Sequence, residues 1–218
     1  MDRLEIKIER FNPEFDASPS LVDYSVPYEE GITVLQALNY IYDELDSTLA
    51  YGLGCRDRKC GLCGVEVDGK PRLACLVKLK GGEAIRPLSK LPLVRDLLVD
   101  RAWLLPMLSE LDLYIDADPD AKEMTVMNIP PEYKRLTGCN ECLSCLAACP
   151  AYDFDTSPYA GPFTYVKLAQ LFYDPRDKRD RKAQARSLGI DRCLSCKGCY
   201  CALGLPIHLM AVKALAEA

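Results

Sequence analysis

The sequence of 218 residues has few of the groups on which most catalytic sites depend. It contains one histidine, His208, and one tryptophan, Trp103, and no nucleophile–base arrangement stands out. A nucleotide or flavin fingerprint is also missing, because Gly52-Leu53-Gly54 has neither the third glycine nor a following helix. The chain is therefore expected to carry no substrate chemistry of its own.

Long apolar runs are absent as well. The N-terminus, MDRLEIKIERFNPEF, is charged and lacks the apolar stretch of a secretion signal. The longest uncharged run, 198–212, is shorter than the ~20 apolar residues that a membrane span requires. A net charge of −5 provides no general field for nucleic acid or anionic lipid. We expect a cytoplasmic protein that binds no nucleic acid and reaches the inner face of a membrane, if at all, through partner subunits.

Cysteine, in contrast, is abundant, with twelve residues in a chain that is 49% hydrophobic and 27% charged. Such a composition is globular. Cysteine pairs and clusters form disulfides, zinc sites or iron–sulfur sites. Disulfides need an oxidising compartment, so in a cytoplasmic chain the thiols are expected to be reduced and available to metal.

The N-terminal part of the chain predicts a small mixed sheet packed on one helix. Residues 4–8 alternate between apolar and polar side chains, as in a half-buried strand. Thr33–Leu45 has helical spacing and begins with a residue type that caps helices. Asp68-Gly69 is a two-residue hairpin signal.

The C-terminal part predicts helices built around cysteine loops. Residues 106–131 contain no glycine and no cysteine and end in two prolines, so this stretch is interpreted as a connector. Helices are expected at Phe163–Tyr173, Arg179–Leu188 and Ile207–Ala216. The predicted fold class is α+β, with domains over 1–105 and 133–218 and a connector over 106–132.

The first cysteine set lies on one loop and the hairpin that follows it. Its members, Cys55, Cys60, Cys63 and Cys75, have the spacing C-x4-C-x2-C-x11-C of plant-type [2Fe–2S] ferredoxins. Three thiolates on a tight loop reach a cluster from one side, and glycines let backbone amides approach the sulfurs. The alternative is zinc, although zinc ribbons usually present two C-x2-C pairs and this set has one.

The second run has the spacing C-x2-C-x2-C-x3-C-P of bacterial ferredoxins. Its members are Cys139, Cys142, Cys145 and Cys149, followed by Pro150. In two-cluster ferredoxins the fourth cysteine of each run ligates the other cluster. Cys149 is therefore expected to serve a partner triplet.

The partner triplet is Cys193, Cys196 and Cys199, which repeats the x2 and x2 spacing. The reciprocal fourth position holds Leu203, and the nearest cysteine is Cys201. Iron–sulfur is favoured over zinc here too. The other interpretation of Cys196 and Cys201 is that they are ordinary buried side chains.

Over nearly its full length the chain resembles the iron–sulfur subunits of the succinate dehydrogenase/fumarate reductase family. The resemblance is carried by IERFNPE, VPYEEGITVLQALNYI, CRDRKCGLCGVEVDGKPRLAC, IRPLSKLPLVRDLLVD, GCNECLSCLAACPAY and the later cysteine loop. It implies a β-grasp ferredoxin domain followed by an all-α, bacterial-ferredoxin-like domain. It also implies an electron relay between a flavoprotein that carries FAD and a second acceptor, on a membrane-anchor or other subunit.

One departure from the family concerns the last cluster. The family usually has an aliphatic residue at the position of Cys196 and a [3Fe–4S] cluster there. Because Cys196 restores a ligand, we expect a second [4Fe–4S] cluster, with [3Fe–4S] as the alternative; its ligands are Cys149, Cys193, Cys196 and Cys199. The middle [4Fe–4S] cluster is then left with Cys139, Cys142, Cys145 and Cys201. Because Cys201 is displaced from the usual position, the loop after Cys199 is expected to depart from the ferredoxin conformation.

Another departure concerns the acceptor. Quinone-binding members of the family carry a tryptophan and a histidine at positions that hold Asp153 or Phe154, and Leu194, in this chain. We therefore expect no working quinone pocket. Two further functions stay open. The first is an electron-transfer subunit of a soluble complex that serves a thiol/disulfide, a ferredoxin or another low-potential carrier. The second is a zinc-stabilised interaction module without redox chemistry.

Overall fold

A computed structural model describes residues 2–117, 128–155, 159–196 and 198–217 of the chain. It divides into two compact units. The N-terminal unit comprises Met1–Asp100 and Asn140–Ala148, and the C-terminal unit comprises Arg101–Cys139 and Cys149–Ala218. The second cysteine run is thus divided between the units, although the sequence places all of it in one predicted domain. The predicted domain boundaries stay a prediction.

The N-terminal unit is built on a five-stranded mixed sheet in the order β2-β1-β5-β3-β4. The strands are β1 Arg3–Arg10, β2 Ser20–Pro27, β3 Gly64–Val67, β4 Lys70–Leu73 and β5 Ala84–Arg86. Strand β1 pairs antiparallel with β2 and parallel with β5, while β3 pairs antiparallel with both β4 and β5. Two short strands, β6 Leu93–Arg95 and β7 Leu98–Val99, form a separate antiparallel pair.

The N-terminal unit contains a helix with a buried apolar side, as the helical spacing predicts. Helix α1, Val34–Tyr40, continues into a π-helical turn at Ile41–Leu45 and begins on a capping box made by Thr33 and Gln36. Ile6 and Ile8 of β1 are fully buried, and so are Val34 and Ala37 of α1. Full burial of a valine or isoleucine side chain stabilises the folded state by about 1.5–3 kcal/mol. The predicted α+β class is confirmed.

The cysteine loops are anchored by the β3–β4 hairpin. Val67 pairs with Lys70 around the predicted Asp68-Gly69 turn, in which both residues have positive φ. Helix α4, Ser144–Ala148, packs against β4 within the N-terminal unit. The hairpin therefore contacts the helix that carries Cys145, and its first strand follows directly after Cys63.

The described residues of the C-terminal unit form helices and no strand. Its α-helices are α2 Leu104–Glu110, α3 Pro131–Leu136, α5 Gly161–Phe172, α6 Arg181–Ser187 and α7 Ala214–Ala216. A 3-10 turn spans Ile190–Cys193, and a π-helical turn spans His208–Lys213. Helix α5 is central: it packs against α3, α6, α7 and the π-helical turn.

Three helices lie close to their predicted positions, but their ends shift by one or two residues. Capping explains one shift, because the Asp180 side chain accepts a hydrogen bond from Ala183 N at 2.9 Å and starts α6 after Arg179. The predicted connector over 106–132 is helical at its start, where α2 extends to Glu110, and its residues 118–127 lie outside the described residues. Within the described ranges, no helix combines the length and apolar character needed to cross a membrane.

Candidate metal centres

The loop before β3 directs backbone N–H groups at the sulfur of Cys55. The N–H groups of Asp57, Lys59 and Cys60 lie 3.3, 3.2 and 3.2 Å from Cys55 Sγ, and Cys55 N–H donates to Cys60 Sγ at 3.3 Å. The hydrogen bonds to Cys55 Sγ, the one from Asp57 first, lower the pKa of Cys55 to about 7. Amides that favour a thiolate also favour a negatively charged cluster ligand, and hydrogen bonds to sulfur tune its potential.

Glycines allow this loop to close tightly. A Cβ on Gly54 would stand 2.7 Å from Cys60 Sγ, and one on Gly61 would collide with the carbonyl oxygen of Asn140. Gly61 also has φ +68°, a conformation that favours glycine. The Asn140 side chain donates to Arg58 O at 2.7 Å, so this residue of the second run is fastened to the first cysteine loop within the N-terminal unit.

The inner end of the first set is Cys63, where the loop enters β3. Ala74 N–H donates to Cys63 O at 2.8 Å, which brings the two ends of the hairpin together and sets Cys75 beside Cys63. Cys63 is buried, and burial, with the neighbouring Cys75, raises its pKa to about 12. A buried thiol of this kind ionises when a metal coordinates it. The donor set fits a cationic iron centre.

The second set comprises the cysteines expected to bind the middle cluster, Cys139, Cys142, Cys145 and Cys201, and local turns position two of them. Cys142 is buried and its thiol donates to Ser144 Oγ at 3.4 Å, while Cys145 lies on α4. Glu141 and Leu143 both have positive φ, so the backbone winds tightly between the cysteines. Cys139 and Cys201 belong to the C-terminal unit. The grouping of these four cysteines therefore remains a prediction.

In the third set, which comprises the cysteines expected to bind the last cluster (Cys149, Cys193, Cys196 and Cys199), two members contact a buried tyrosine. The Tyr159 hydroxyl lies 3.1 Å from Cys193 Sγ and 3.6 Å from Cys149 Sγ. Burial first, and then the nearby Cys193, Cys149 and Cys196, raise the pKa of Cys199 to about 12. The fold thus brings Cys149 to the last triplet, although the whole of α5 and α6 lies between them in the sequence.

The two remaining cysteines of the last loop differ in their surroundings. The Cys196 thiol lies 3.5 Å from Gly198 O, and its charge bears on Cys199. Cys201 Sγ accepts the N–H of Leu203 at 3.4 Å, in a turn that Gly204 closes with φ +71°. Cys196 is therefore grouped with the third set by its neighbours. For Cys201 the described contacts are local.

All twelve cysteines lie among the described residues, and none is joined in a disulfide. Within the described part of the chain, no group of three or more histidine, cysteine or acidic side chains is arranged to hold a single metal ion. Cys55 and Cys60 are linked by hydrogen bonds to each other's sulfur, and Cys149 and Cys193 both contact the Tyr159 hydroxyl.

Two residues that shape the candidate sites carry no signal in the sequence. Asn140 stands as a spacer inside the C-x2-C run, and Tyr159 belongs to the segment before α5. Tyr159 lies ten positions after Cys149 with no motif that links it to a sulfur. Its place beside Cys193 is visible only in the folded chain.

The structure also describes Phe154 and Leu194, which occupy positions where the quinone-binding residues are expected to be missing. The Phe154 ring packs edge-on against Trp103, with ring centroids 5.4 Å apart. Leu194, just after Cys193, is 63% exposed. An aliphatic side chain at this point offers neither a proton nor a hydrogen bond.

Each half of the chain matches a known family of iron–sulfur domains. A "2Fe-2S iron-sulfur cluster binding domain" matches residues 5–105, and a "4Fe-4S dicluster domain" matches residues 138–206. In solved structures, the chain is similar to one of the Mycobacterium smegmatis Sdh1 complex in the apo form. That match has a TM-score of 0.81 and 25% identity, over 99% of this chain and 94% of the other.

Among curated relatives, the fumarate reductase iron-sulfur subunit of Haemophilus influenzae is 32% identical over 97% of this chain and 90% of its own length. That of Escherichia coli is 33% identical over 100% of this chain and 92% of its own length. A subunit of the fumarate reductase (CoM/CoB) of Methanothermobacter marburgensis is 32% identical over 90% of this chain but only 40% of its own length. The chain thus spans about two fifths of the length of the first relatives that it matches.

Two cysteine-rich halves in the same order, the shared fold and full-length relatives agree with the resemblance seen in the sequence. The chain belongs to the iron–sulfur subunits of the succinate dehydrogenase/fumarate reductase family, and it is an iron–sulfur protein.

Proposed function

We propose that this chain is the electron-transfer subunit of a succinate dehydrogenase/fumarate reductase-type complex. It relays electrons between a flavoprotein subunit that carries FAD and a second acceptor. The observation that carries the proposal is the Cys55 loop, where three backbone N–H groups point at one sulfur. That arrangement stabilises a negatively charged sulfur ligand at the protein surface, where a partner can reach it.

Iron–sulfur clusters supply one-electron chemistry when bound. The chain's residues hold each centre and set its charge. Cys55, Cys60, Cys63 and Cys75 are assigned to one [2Fe–2S] cluster, and its loop amides favour the added negative charge. The middle [4Fe–4S] centre is assigned to Cys139, Cys142, Cys145 and Cys201.

The last centre is assigned to Cys149, Cys193, Cys196 and Cys199 as a second [4Fe–4S] cluster. Support comes from the Tyr159 hydroxyl between Cys149 and Cys193, and from the influence of the other three thiols on the pKa of Cys199. A thiol at position 196 can bind a fourth iron, which an aliphatic residue cannot. The alternative for this centre is [3Fe–4S].

The proposal of a flavoprotein partner is supported by the family, because the full-length relatives are named as iron–sulfur subunits of fumarate reductases and the flavin would belong to another subunit. A dicarboxylate oxidised on such a partner releases two electrons and two protons, and the electrons pass singly through this subunit to the acceptor. Fumarate reduction runs the same exchange in reverse. Attachment to the inner face of a membrane would come through an anchor subunit.

A second candidate keeps the relay and changes the acceptor. Asp153, Phe154 and Leu194 stand where quinone-binding relatives have an aromatic and a histidine residue, and Leu194 offers no polar group. One relative is named as part of a fumarate reductase (CoM/CoB). Both observations favour an acceptor other than quinone, such as a thiol/disulfide, a ferredoxin or another low-potential carrier.

The test is anaerobic purification of the native complex, followed by iron analysis, flavin analysis and EPR. We expect a brown preparation with about ten iron atoms per chain, a reduced [2Fe–2S] signal and a co-purifying FAD polypeptide. Cys60→Ser should remove or alter the [2Fe–2S] signal. Lys59→Ala is the matched control, because it keeps the backbone N–H that faces Cys55 Sγ.

A colourless protein that contains zinc would support the interaction-module alternative and overturn the relay. Clusters without any flavin-containing partner, under gentle conditions, would overturn the assignment to a succinate/fumarate-type complex.

A further inference from the structure

Tyr159 places a buried hydroxyl in direct contact with two sulfurs of the third set. Its oxygen lies 3.1 Å from Cys193 Sγ and 3.6 Å from Cys149 Sγ. The residue is 5% exposed and Cys193 is 3% exposed, so water has little access to this contact. A hydrogen bond in such surroundings is stronger than at the surface.

The tyrosine ring is held in place on two sides. Tyr165 meets it edge-on, with ring centroids 5.9 Å apart, and the Arg192 guanidinium lies 5.9 Å from its centroid. The backbone next to the ring is also fixed, since Ala160 N–H donates to Leu188 O at 3.2 Å. The hydroxyl is therefore aimed by packing and does not depend on a flexible loop contact alone.

The chemistry of the pair decides the direction of the bond. A tyrosine hydroxyl has one proton and an ordinary pKa of about 10, so it is a donor at neutral pH. A cysteine that ligates iron is a thiolate and has no proton to give. The Tyr159 hydroxyl then donates to one sulfur at a time, and the shorter distance makes Cys193 the main acceptor.

We propose that Tyr159 is a positioning residue that raises the reduction potential of the last cluster by donating a hydrogen bond to its coordinating sulfurs. The inference rests on the proposed function, which assigns Cys149 and Cys193 to that cluster. The added electron makes the cluster and its sulfurs more negative, and a donor stabilises the more negative state more strongly. Tyr159 thus sets how readily the last centre accepts an electron.

The test is a redox titration monitored by EPR on the intact, anaerobically prepared complex. Tyr159→Phe removes the hydroxyl and keeps the ring, and it should lower the midpoint potential of the last cluster while the [2Fe–2S] potential stays unchanged. The matched control is Tyr165→Phe, whose hydroxyl donates instead to Leu188 O at 2.8 Å. It should leave both potentials unchanged.

A second variant keeps the test decisive if Tyr159→Phe disturbs assembly. Site-specific Tyr159→3-fluorotyrosine makes the phenol a stronger donor, so the potential of the last cluster should rise. An unchanged potential in a fully loaded Tyr159→Phe or fluorotyrosine variant would overturn the inference, and so would an equal shift in Tyr165→Phe. The proposed function fails separately, by the absence of any such cluster signal in the wild-type complex.

Discussion

Gly61 shows, at the scale of a single residue, why the first cysteine loop needs glycine. Its φ of +68° is strained for other residues, and a Cβ there would collide with Asn140 O. Gly69 has a similar φ of +71°, but a Cβ there would meet nothing within 4 Å. A side chain at either position would strain the backbone, but only at Gly61 would it also collide with a neighbouring atom.

Gly61→Ala should destabilise the N-terminal unit more than Gly69→Ala. Both substitutions carry a backbone cost of about 1–2 kcal/mol, and overpacking adds about 1–3 kcal/mol at Gly61 alone. Thermal unfolding followed by the visible absorbance of the [2Fe–2S] cluster measures the difference. Equal losses in the two variants would show that the Asn140 contact has no energetic weight.

Cys196 decides, on the proposed assignment, whether the last cluster binds a fourth iron. Cys196→Val should reduce the iron content to about nine per chain and produce a three-iron EPR signal in the oxidised protein. Cys201→Ser is the comparison, and it should affect the middle cluster without creating that signal. A strong three-iron signal already present in the anaerobic wild-type protein would contradict the assignment.

At the scale of elements, Arg10 at the end of β1 ties strands to loops in the N-terminal unit. Its Nε lies 3.0 Å from Asp96 Oδ1, and its Nη1 pairs with Asp46. Asp96 is 2% exposed and also accepts the N–H groups of Phe11 and Ala50 at 2.9 and 2.8 Å. A buried carboxylate that is bonded on every side holds this corner in one arrangement.

Asp46 should make this corner sensitive to acid. A hydrogen bond from Thr48 first, and then those from Tyr24 and Arg10, lower the pKa of Asp46. The folded-state pKa lies below the unfolded value of about 3.9, so the stabilisation is present above that value and is lost as the pH falls towards the folded pKa.

Urea unfolding midpoints of wild type and Asp46→Asn should therefore differ by a constant amount from neutral pH to about 5 and converge below about 4. Asp23→Asn, which breaks only an exposed pair with Lys7, is the control and should show a small gap throughout. A gap for Asp46→Asn that stays constant below pH ~4 would contradict the linkage.

Arg181 on α6 performs a similar task in the C-terminal unit. Its side chain is fully buried, pairs with Asp177 at 2.6 Å, and donates to the carbonyl oxygens of Asp112 and Tyr114 at 2.8 and 2.6 Å. These bonds fasten the segment after α2 to α6. Removal of the guanidinium leaves the buried Asp177 carboxylate without its cation.

Arg181→Met should cost about 3–5 kcal/mol of unfolding free energy, because the charge left behind is buried. The double variant Arg181→Met with Asp177→Leu should recover much of that loss. Arg179→Met is the nearby control, since its guanidinium lies at the surface, and its effect should be much smaller. Urea denaturation of the loaded protein measures all three, and equal effects at positions 179 and 181 would refute the argument.

At the scale of the whole molecule, the acceptor distinguishes the two candidate functions. The side chains of Leu194 and Phe154 are apolar, so neither supplies the hydrogen bond that a quinone oxygen requires. The reduced complex should be reoxidised slowly by a soluble quinone analogue, and a quinone-site inhibitor should not change that rate. Stopped-flow absorbance measures it, and rapid, inhibitor-sensitive reoxidation would count against the second candidate.

The sequence by itself determined the features that depend on local spacing. Within each motif, only a few residues separate neighbouring cysteines, because three thiolates on one loop must reach the same cluster. The Thr33 cap and the Asp68-Gly69 hairpin were likewise predictable, since each is completed within a few residues. The α+β class followed from such patterns, the family was identified from its resemblance over longer stretches of sequence, and both were confirmed.

Tertiary structure alone decided which distant groups meet. Asn140–Ala148 joins the N-terminal unit, and Asn140 fills the space that Gly61 leaves open. The Tyr159 hydroxyl reaches Cys193 across 34 positions of sequence. No interval in the chain encodes these contacts, because they arise from the packing of whole helices and loops whose positions depend on every other buried side chain.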